Sequence, residues 1–124
     1  MNVCEPVFEK SLIFDTYACR VGKGRDAAIL RAREFAGRFP FFLKFDVRKY
    51  FNSISHEVLL ERLRRRFQDE RLHRLFERIV AGYATEEGRG VPIGSLTSQH
   101  FANFYLDGLD RLAKETLGAA GYVR

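Results

Sequence analysis

The apolar positions of this sequence predict a chain made mainly of amphipathic helices. Asp26 is placed to cap a first helix that stops near Gly37, with apolar positions at Ala28, Ile29, Ala32, Phe35 and Ala36. Ser55 begins a second helix, whose apolar face is formed by Leu59, Leu60, Leu63 and Phe67. A third helix runs through Leu72, Leu75, Phe76, Ile79, Val80 and Tyr83. Thr97 or Ser98 caps a last, long helix with repeating positions at Phe101, Phe104, Tyr105, Leu109 and Leu112.

One segment departs from the helical period. Residues 41–47 follow Pro40 and form a nearly continuous apolar run, which predicts a short, largely buried strand with Asp46 at its exit. Residues 84–94 contain several glycines and a proline, and predict a loop or a hairpin. Residues 122–124 resemble the beginning of another strand. Repeats, linkers and low-complexity tracts are absent from the sequence, so residues 1–124 are expected to form a single domain.

Composition allows a packed core and argues against several classes of protein. The chain has 124 residues, a hydrophobic content of 46% and 12 Phe. It lacks an apolar run of the ~20 residues that span a bilayer, and it does not begin like a secretion signal. We therefore expect a cytoplasmic chain with no membrane partner. Cys4 and Cys19 lie far apart without a suitably spaced His, which indicates neither a zinc site nor a disulfide.

The positive charge is concentrated in one stretch of the sequence. The formal net charge is +5, and the arginines cluster at Arg62, Arg64, Arg65, Arg66, Arg71, Arg74 and Arg78. Arginines that contact phosphates give nucleic-acid binding that is insensitive to sequence and sensitive to salt, and we assign this contact to Arg62, Arg64, Arg65 and Arg66. The alternative is a solvated helix face, because acidic residues that could pair with the arginines interleave at Glu61, Asp69, Glu70 and Glu77.

Three segments, taken in order, resemble motifs of the reverse transcriptases of bacterial retroelements. Residues 17–25 resemble the fingers loop over the incoming nucleotide, residues 42–54 the palm motif with the first metal-binding Asp, and residues 90–99 the motif that contacts template and nucleotide. The shared order, across nearly the whole chain, makes the resemblance specific. Ile93 and Gln99 stand where most of these enzymes have Gln and Pro, a variant similar to the enzymes of diversity-generating retroelements.

The resemblance implies an α+β fold class: the fingers and partial palm of a right-hand polymerase, helix-rich with a short, incomplete β-sheet. Residues from about 1 to 40 would belong to the fingers, and residues from about 41 to 124 to fingers and palm. In the family, a Tyr-x-Asp-Asp-like hairpin follows the positions that match residues 121–124. The sequence is therefore expected to be a fragment, truncated before the Asp-Asp motif and inactive by itself.

The implied activity is that of an RNA-directed DNA polymerase, a nucleotidyltransferase that adds dNTPs to the 3′-hydroxyl of a DNA primer on an RNA template. In the complete enzyme two Mg²⁺ ions, with Mn²⁺ as an alternative, would stabilise the attacking and leaving oxygens. The resemblance makes Asp46 the catalytic carboxylate and places the first metal ion on Asp46 and the carbonyl of Val47, since Mg²⁺ accepts such sparse ligation when water and phosphate complete it.

Other matched residues would contact the nucleotide. By the resemblance, Arg20, Lys23 and Arg25 lie on a glycine-flexed loop that can close over the triphosphate with three positive charges. Lys49 and Tyr50 would meet the triphosphate through their backbone amides.

The last matched positions concern the sugar and the base pair. Phe51 matches the aromatic gate that excludes a ribose 2′-hydroxyl, with a core Phe as the alternative. Gly94 would let the backbone approach the template base pair, where Ile93 offers only apolar contact.

Two other functions stay open. The fragment could hold RNA or DNA without catalysis, as a remnant or an accessory module, or it could be a helical interaction domain. An uncovered palm surface near Asp46 and Ser98 would also leave room for self-association.

Overall fold

The computed structural model describes residues 3–124, which divide into two compact units. One unit is Val47–Tyr105, and the other combines the described residues up to Asp46 with Leu106–Arg124. The helices, in chain order, are α1 Glu5–Glu9, α2 Arg25–Arg38, α3 Tyr50–Ser53, α4 His56–Arg66, α5 Glu70–Ala81, α6 Leu96–Tyr105 and α7 Asp107–Arg111, followed by a π-helical turn at Leu112–Thr116.

The predicted α+β fold class is wrong for this chain. Between residues 3 and 124 the structure contains helices and isolated bridges, Ser55 with Arg89 and Glu86 with Arg89, but no sheet. Residues 41–47 are free of helix, as predicted, yet they do not form the predicted buried strand. Phe41, Phe42 and Leu43 are 88%, 87% and 84% exposed. An apolar run indicates that a segment tends to be buried. A strand also needs an adjacent segment that forms hydrogen bonds with its backbone N–H and C=O groups, and none of the described segments does so here.

Within Val47–Tyr105, α4 packs against α5 and α6. The predicted start of α4 is confirmed, because the Ser55 side chain caps the helix and accepts a hydrogen bond from the backbone of Val58 at 3.4 Å. The rings of Phe67 and Phe76, and of Phe76 and Phe101, meet edge to face with centroids 5.3 and 5.4 Å apart. The buried apolar residues of this unit are Ile54, Leu59, Leu63, Phe67, Phe76, Val80, Val91, Phe101, Ala102 and Phe104.

The bounds of the last helix differ from the prediction. α6 begins at Leu96, and Ser95 accepts a hydrogen bond from the backbone of Ser98 at 3.5 Å, so the cap lies before the predicted Thr97 or Ser98. The helix ends at Tyr105 rather than continuing through Leu112. The apolar repeat itself continues into α7 and the π-helical turn, which explains why it predicted one helix.

The other unit includes α2, whose predicted cap is also wrong. Gly24, with φ 108°, precedes the helix, Asp26 lies in its first turn, and the helix passes Gly37 to end at Arg38. α2 buries none of its residues, and Ile29 is 44% exposed. Its regular apolar spacing therefore correctly predicted a helix without predicting how deeply the helix is buried.

The core of this unit is built around a carboxylate. Asp110 is 0% exposed, next to the fully buried Thr16, and Phe8 and Tyr17 supply apolar contacts of the core. Residues 122–124, where a strand was predicted to begin, do not form one. Instead, Arg124 exchanges backbone hydrogen bonds with the segment at residues 15–17, at 3.0 Å through its own N–H and at 2.6 Å through its carbonyl.

Among residues 3–124, no helix is long and apolar enough to cross a bilayer. Both cysteines are free thiols, Cys4 buried and Cys19 exposed.

Candidate functional site

Asp46 lies in an exposed part of the chain that is neither helix nor strand. Within the described residues, no hydrogen bond or ion pair engages its side chain, and no group of three or more His, Cys, Asp or Glu residues is placed to hold a metal ion. The donor type suits Mg²⁺, because a carboxylate and the Val47 carbonyl are hard oxygen ligands. The number of donors is too small for two ions at a fixed separation, so further ligands would have to come from elsewhere.

The residues that follow Asp46 form a short helix anchored on α6. Lys49 takes a left-handed conformation, with φ 48° and ψ 44°, and directly precedes α3. The hydroxyl of Tyr50 donates to the carbonyl of Ala102 at 2.6 Å. The rings of Tyr50 and Phe51 meet edge to face at 5.8 Å. Both aromatic side chains are half-buried, so Phe51 combines a packing contact with partial access from solvent.

Backbone hydrogen bonds join this region to the loop that precedes α6. Val91 donates to the carbonyl of Phe51 at 3.0 Å, and Gly90 donates to that of Ile54 at 2.9 Å. His56 donates its backbone N–H to Gly88 at 2.9 Å, and its Nε2 lies 2.6 Å from the Gly90 carbonyl. Within the unit Val47–Tyr105, Phe51 and Ile54 of the segment 42–54 thus meet Val91 and Gly90 of the segment 90–99.

The close backbone approach in this loop occurs at Gly90. A Cβ added to Gly90, which has φ +100°, would lie 2.6 Å from the hydroxyl oxygen of Thr85 and 3.0 Å from the Thr85 nitrogen. Gly94 also has a positive φ of +92°, but no atom lies within 4 Å of its added Cβ. Ile93 is 75% exposed. Ile93 and Gly94 thus present an open surface, where a ligand could reach the backbone.

The loop at residues 20–25 directs Arg20 toward its own unit. Two guanidinium nitrogens of Arg20 bind one carboxylate oxygen of Glu9, at 2.6 and 2.8 Å. A third nitrogen donates to the carbonyls of Ile13 and Thr16 at 2.7 and 2.6 Å. With its side chain only 9% exposed, Arg20 has the contacts of a structural residue.

Lys23 is held by the same region, whereas Arg25 is exposed. The Lys23 ammonium donates to the carbonyl of Phe14 at 2.6 Å and lies 3.5 Å from the centroid of the Phe14 ring. Burial lowers the pKa of Lys23, and the neighbouring charge of Arg20 lowers it further. The Arg25 side chain is 88% exposed and lies 3.6 Å from Asp26. Of the three predicted phosphate ligands, Arg25 alone presents its charge to solvent.

The four arginines predicted to bind nucleic acid do not form a uniform surface. Arg62 donates to the carbonyl of Tyr105 at 2.6 Å and lies 5.4 Å from the ring of Phe104, and burial lowers its pKa. Arg64 pairs with Glu77 and Arg65 pairs with Glu61, each at 2.5 Å. Arg66 is exposed. Pairing with interleaved acids, the alternative raised from the sequence, therefore holds for Arg64 and Arg65.

A buried polar network at Asp110 was missed in the sequence. Asp110 accepts hydrogen bonds from Thr16 at 2.8 Å, Tyr122 at 2.6 Å, and two nitrogens of Arg124 at 2.7 Å each. Burial raises the pKa of the Tyr122 hydroxyl, and its hydrogen bond to Asp110 adds to the shift. Thr16 and Asp110 are 94 positions apart, and no local spacing links them. A buried carboxylate with this many donors stabilises its unit.

The described chain is helical and carries an arginine-rich helix pair beside two joined sequence motifs. No protein-family model matches it. It is similar to the COX1/OXI3 intron 1 protein of Saccharomyces cerevisiae, with 27% identity over 87% of this chain and 14% of that protein. It is also similar to the COX1/OXI3 intron 2 protein of the same yeast, with 26% identity over 86% of the chain and 13% of the relative.

A third relative comes from a different yeast. The 91 kDa protein in the cob intron of Schizosaccharomyces pombe is 28% identical over 87% of the chain and 14% of its own length. The chain thus spans about one seventh of the length of the curated relatives it matches. All three relatives are named after introns.

Proposed function

We propose that this chain is a segment of an RNA-directed DNA polymerase of the kind encoded within introns. One observation carries the proposal. The segment that resembles the palm motif, 42–54, and the segment that resembles the motif contacting template and nucleotide, 90–99, are joined by hydrogen bonds from Val91 to Phe51 and from Gly90 to Ile54. Residues scattered in sequence but assembled in one unit are what a shared nucleotide site requires.

The similarity to intron proteins supports RNA as the template class. The relatives match at 26–28% identity over almost the whole chain, which includes all three motifs. The net charge of +5 favours a polyanionic partner. A closer relation to diversity-generating retroelements rests on Ile93 and Gln99 alone, since the relatives reported above are intron proteins.

In the longer protein, Asp46 and the Val47 carbonyl would hold one Mg²⁺, with the remaining ligands supplied by residues outside this chain. Phe51 would limit the space beside the sugar, and the exposed Arg25 would meet the triphosphate. Arg20 and Lys23 would support the loop rather than bind phosphate, because their charged groups are already engaged. Binding of dNTPs and self-association through the exposed residues 41–47 remain predictions.

The test is primer extension by the longer protein that contains this segment. Asp46→Ala should abolish Mg²⁺-dependent extension on an RNA template while binding of the same RNA is retained. Glu87→Ala is the matched control, because it also removes an exposed carboxylate, from a position without an assigned role. Extension by the Asp46→Ala protein at the parental rate would remove Asp46 from the metal site.

A second function, nucleic-acid binding without catalysis, is favoured by the position of Asp46. Its carboxylate belongs to no group of three or more His, Cys, Asp or Glu residues in the described chain. If the longer protein binds RNA and lacks extension even with Mn²⁺, the segment acts as a binding module. A protein that neither binds nor extends would contradict both functions.

A further inference from the structure

The outer face of α5 carries three arginines at helical spacing. Arg71, Arg74 and Arg78 follow one another at i, i+3 and i+7. With 3.6 residues in each turn, these positions fall within about 60° of one another around the helix axis. All three are exposed, whereas Phe76 and Val80 of the same helix are buried. We call Arg71, Arg74 and Arg78 the α5 stripe.

The guanidinium groups of the α5 stripe are not paired with carboxylates of the described chain. In the part of the chain that the structure describes, no hydrogen bond or ion pair engages the three guanidinium groups. The two acidic residues of the helix lie close to other side chains. Glu77 pairs with Arg64 at 2.5 Å, and Glu70 lies 3.8 Å from Nδ1 of His73.

Asp69 has a different role at the start of α5. It caps the helix by accepting backbone hydrogen bonds from Arg71 and Leu72 at 2.7 and 3.2 Å. These two bonds are the main cause of its lowered pKa, to which the Arg71 charge adds less. The carboxylate is therefore directed at the helix end rather than along the stripe.

The preceding helix differs in this respect. On α4, Arg64 and Arg65 are paired with Glu77 and Glu61, and Arg62 is directed toward the carbonyl of Tyr105. The carboxylates of Glu77 and Glu61 offset part of the charge of Arg64 and Arg65 and occupy one nitrogen of each, whereas the α5 stripe would meet a phosphate with all of its donors available. The unpaired arginines are therefore the better phosphate ligands.

From this difference we propose that the α5 stripe, rather than the arginines of α4, is the surface of this chain that binds the phosphate backbone of nucleic acid. The inference rests on the proposed function, which supplies RNA as the partner. Arg71 and Arg78 are separated by about 10 Å along the helix axis, at 1.5 Å per residue. Phosphates follow one another at about 3.4 Å along one strand of a duplex, so the stripe can reach about three of them.

The number of contacts sets the expected salt dependence. Each neutralised phosphate of a single strand contributes about 0.7 to the slope of log K against log salt. Three contacts correspond to a slope of about −2, or a loss of roughly 20-fold in affinity between 50 and 200 mM salt. Removing the stripe should abolish that part of the slope.

The experiment compares two triple variants by fluorescence anisotropy with a labelled single-stranded RNA of about 20 nucleotides. One variant carries Arg71→Gln, Arg74→Gln and Arg78→Gln. The matched control carries Arg64→Gln, Arg65→Gln and Arg66→Gln, so both proteins lose the same net charge. Glutamine keeps helix propensity close to that of arginine, and far-UV circular dichroism checks that both variants are folded.

We expect the α5 variant to lose about two units of salt slope and the α4 control to lose less than one. Loss confined to the α4 control would overturn the assignment of the α5 stripe and leave the proposed function standing. Equal loss in both variants would also overturn it, because net charge alone would then explain binding. A parental chain that does not bind RNA at 50 mM salt would contradict the stripe and the RNA-binding part of the proposed function together.

Discussion

Replacing Gly90 by Ala should break the junction between the loop before α6 and the region around Phe51. The perturbation has two separable parts. An alanine at φ +100° is strained whatever surrounds it, and its Cβ would lie 2.6 Å from the Thr85 hydroxyl oxygen. Gly94 shares the unfavourable backbone, with φ +92°, but has open space around it. Gly94→Ala therefore measures the backbone part alone.

The magnitudes follow from these geometries. A residue with a side chain in a sparsely populated region of positive φ costs about 1–3 kcal/mol. Overpacking at a contact well inside van der Waals distance costs about another 1–3 kcal/mol. We therefore expect Gly90→Ala to lower the free energy of unfolding by about 2–6 kcal/mol, and Gly94→Ala by only the first part, about 1–3 kcal/mol.

The assay is urea denaturation followed by far-UV circular dichroism, with hydrogen exchange at two amides as local probes. The amides of Val91 and His56 report directly on the junction, because they donate to the carbonyls of Phe51 and Gly88. Both should exchange faster in the Gly90→Ala protein. The Gly94→Ala protein should keep their protection close to the parental value.

A second substitution tests the cause. Thr85→Ala removes the hydroxyl oxygen and the methyl carbon that lie 2.6 and 3.3 Å from the added Cβ, although the Thr85 nitrogen remains at 3.0 Å. Combined with Gly90→Ala, it should restore about 1–2 kcal/mol relative to the sum of the single effects, which a double-mutant cycle measures. Equal losses for Gly90→Ala and Gly94→Ala, with no coupling to Thr85, would refute the reasoning.

Two further predictions concern buried and capping carboxylates. Asp110→Ala should destabilise its unit by about 3–5 kcal/mol in urea denaturation, because it leaves the guanidinium of Arg124 without its partner. A loss of stability below ~1 kcal/mol would contradict a stabilising buried ion pair. Backbone hydrogen bonds lower the pKa of Asp69 from 3.8, so its charge-dependent stabilisation is complete above about pH 4 and disappears as the pH falls through the lowered pKa. Because the pKa of Glu34 is also lowered, both proteins should lose stability in an acid titration, and the loss should be smaller for Asp69→Asn than for the parental protein.

The helices of the unit Val47–Tyr105 could largely be predicted from the sequence. The apolar period and the capping Ser55 define α4, and the buried Phe76 and Val80 of α5 lie on the predicted face. Local signals suffice there because a cap and an apolar stripe act within a few residues. The same period at α2 predicted the helix but not the exposure of Ile29, since burial depends on what other segments pack against it.

The error at residues 41–47 has the same origin. Phe41, Phe42 and Leu43 have the composition of a buried strand, yet each is more than 80% exposed. A strand is completed by backbone groups from a distant part of the chain, and its own residues do not identify that part. The Asp110 network was missed for a related reason, because Thr16 and Asp110 are 94 positions apart.

The sequence does not determine which arginines of the cluster are paired with acidic residues. Arg64 and Arg74 belong to the same cluster in the sequence, where we assigned the phosphate contact to Arg64 and not to Arg74. The packing of α4 against α5 brings Glu77 within 2.5 Å of Arg64, while Arg74 faces solvent on the outer side of α5. Because a neighbouring carboxylate offsets the charge of an arginine and occupies one of its donors, tertiary structure decides which arginines are the better phosphate ligands. A nucleic-acid surface is therefore better assigned from the arginines that no carboxylate pairs with than from the density of arginines along the chain.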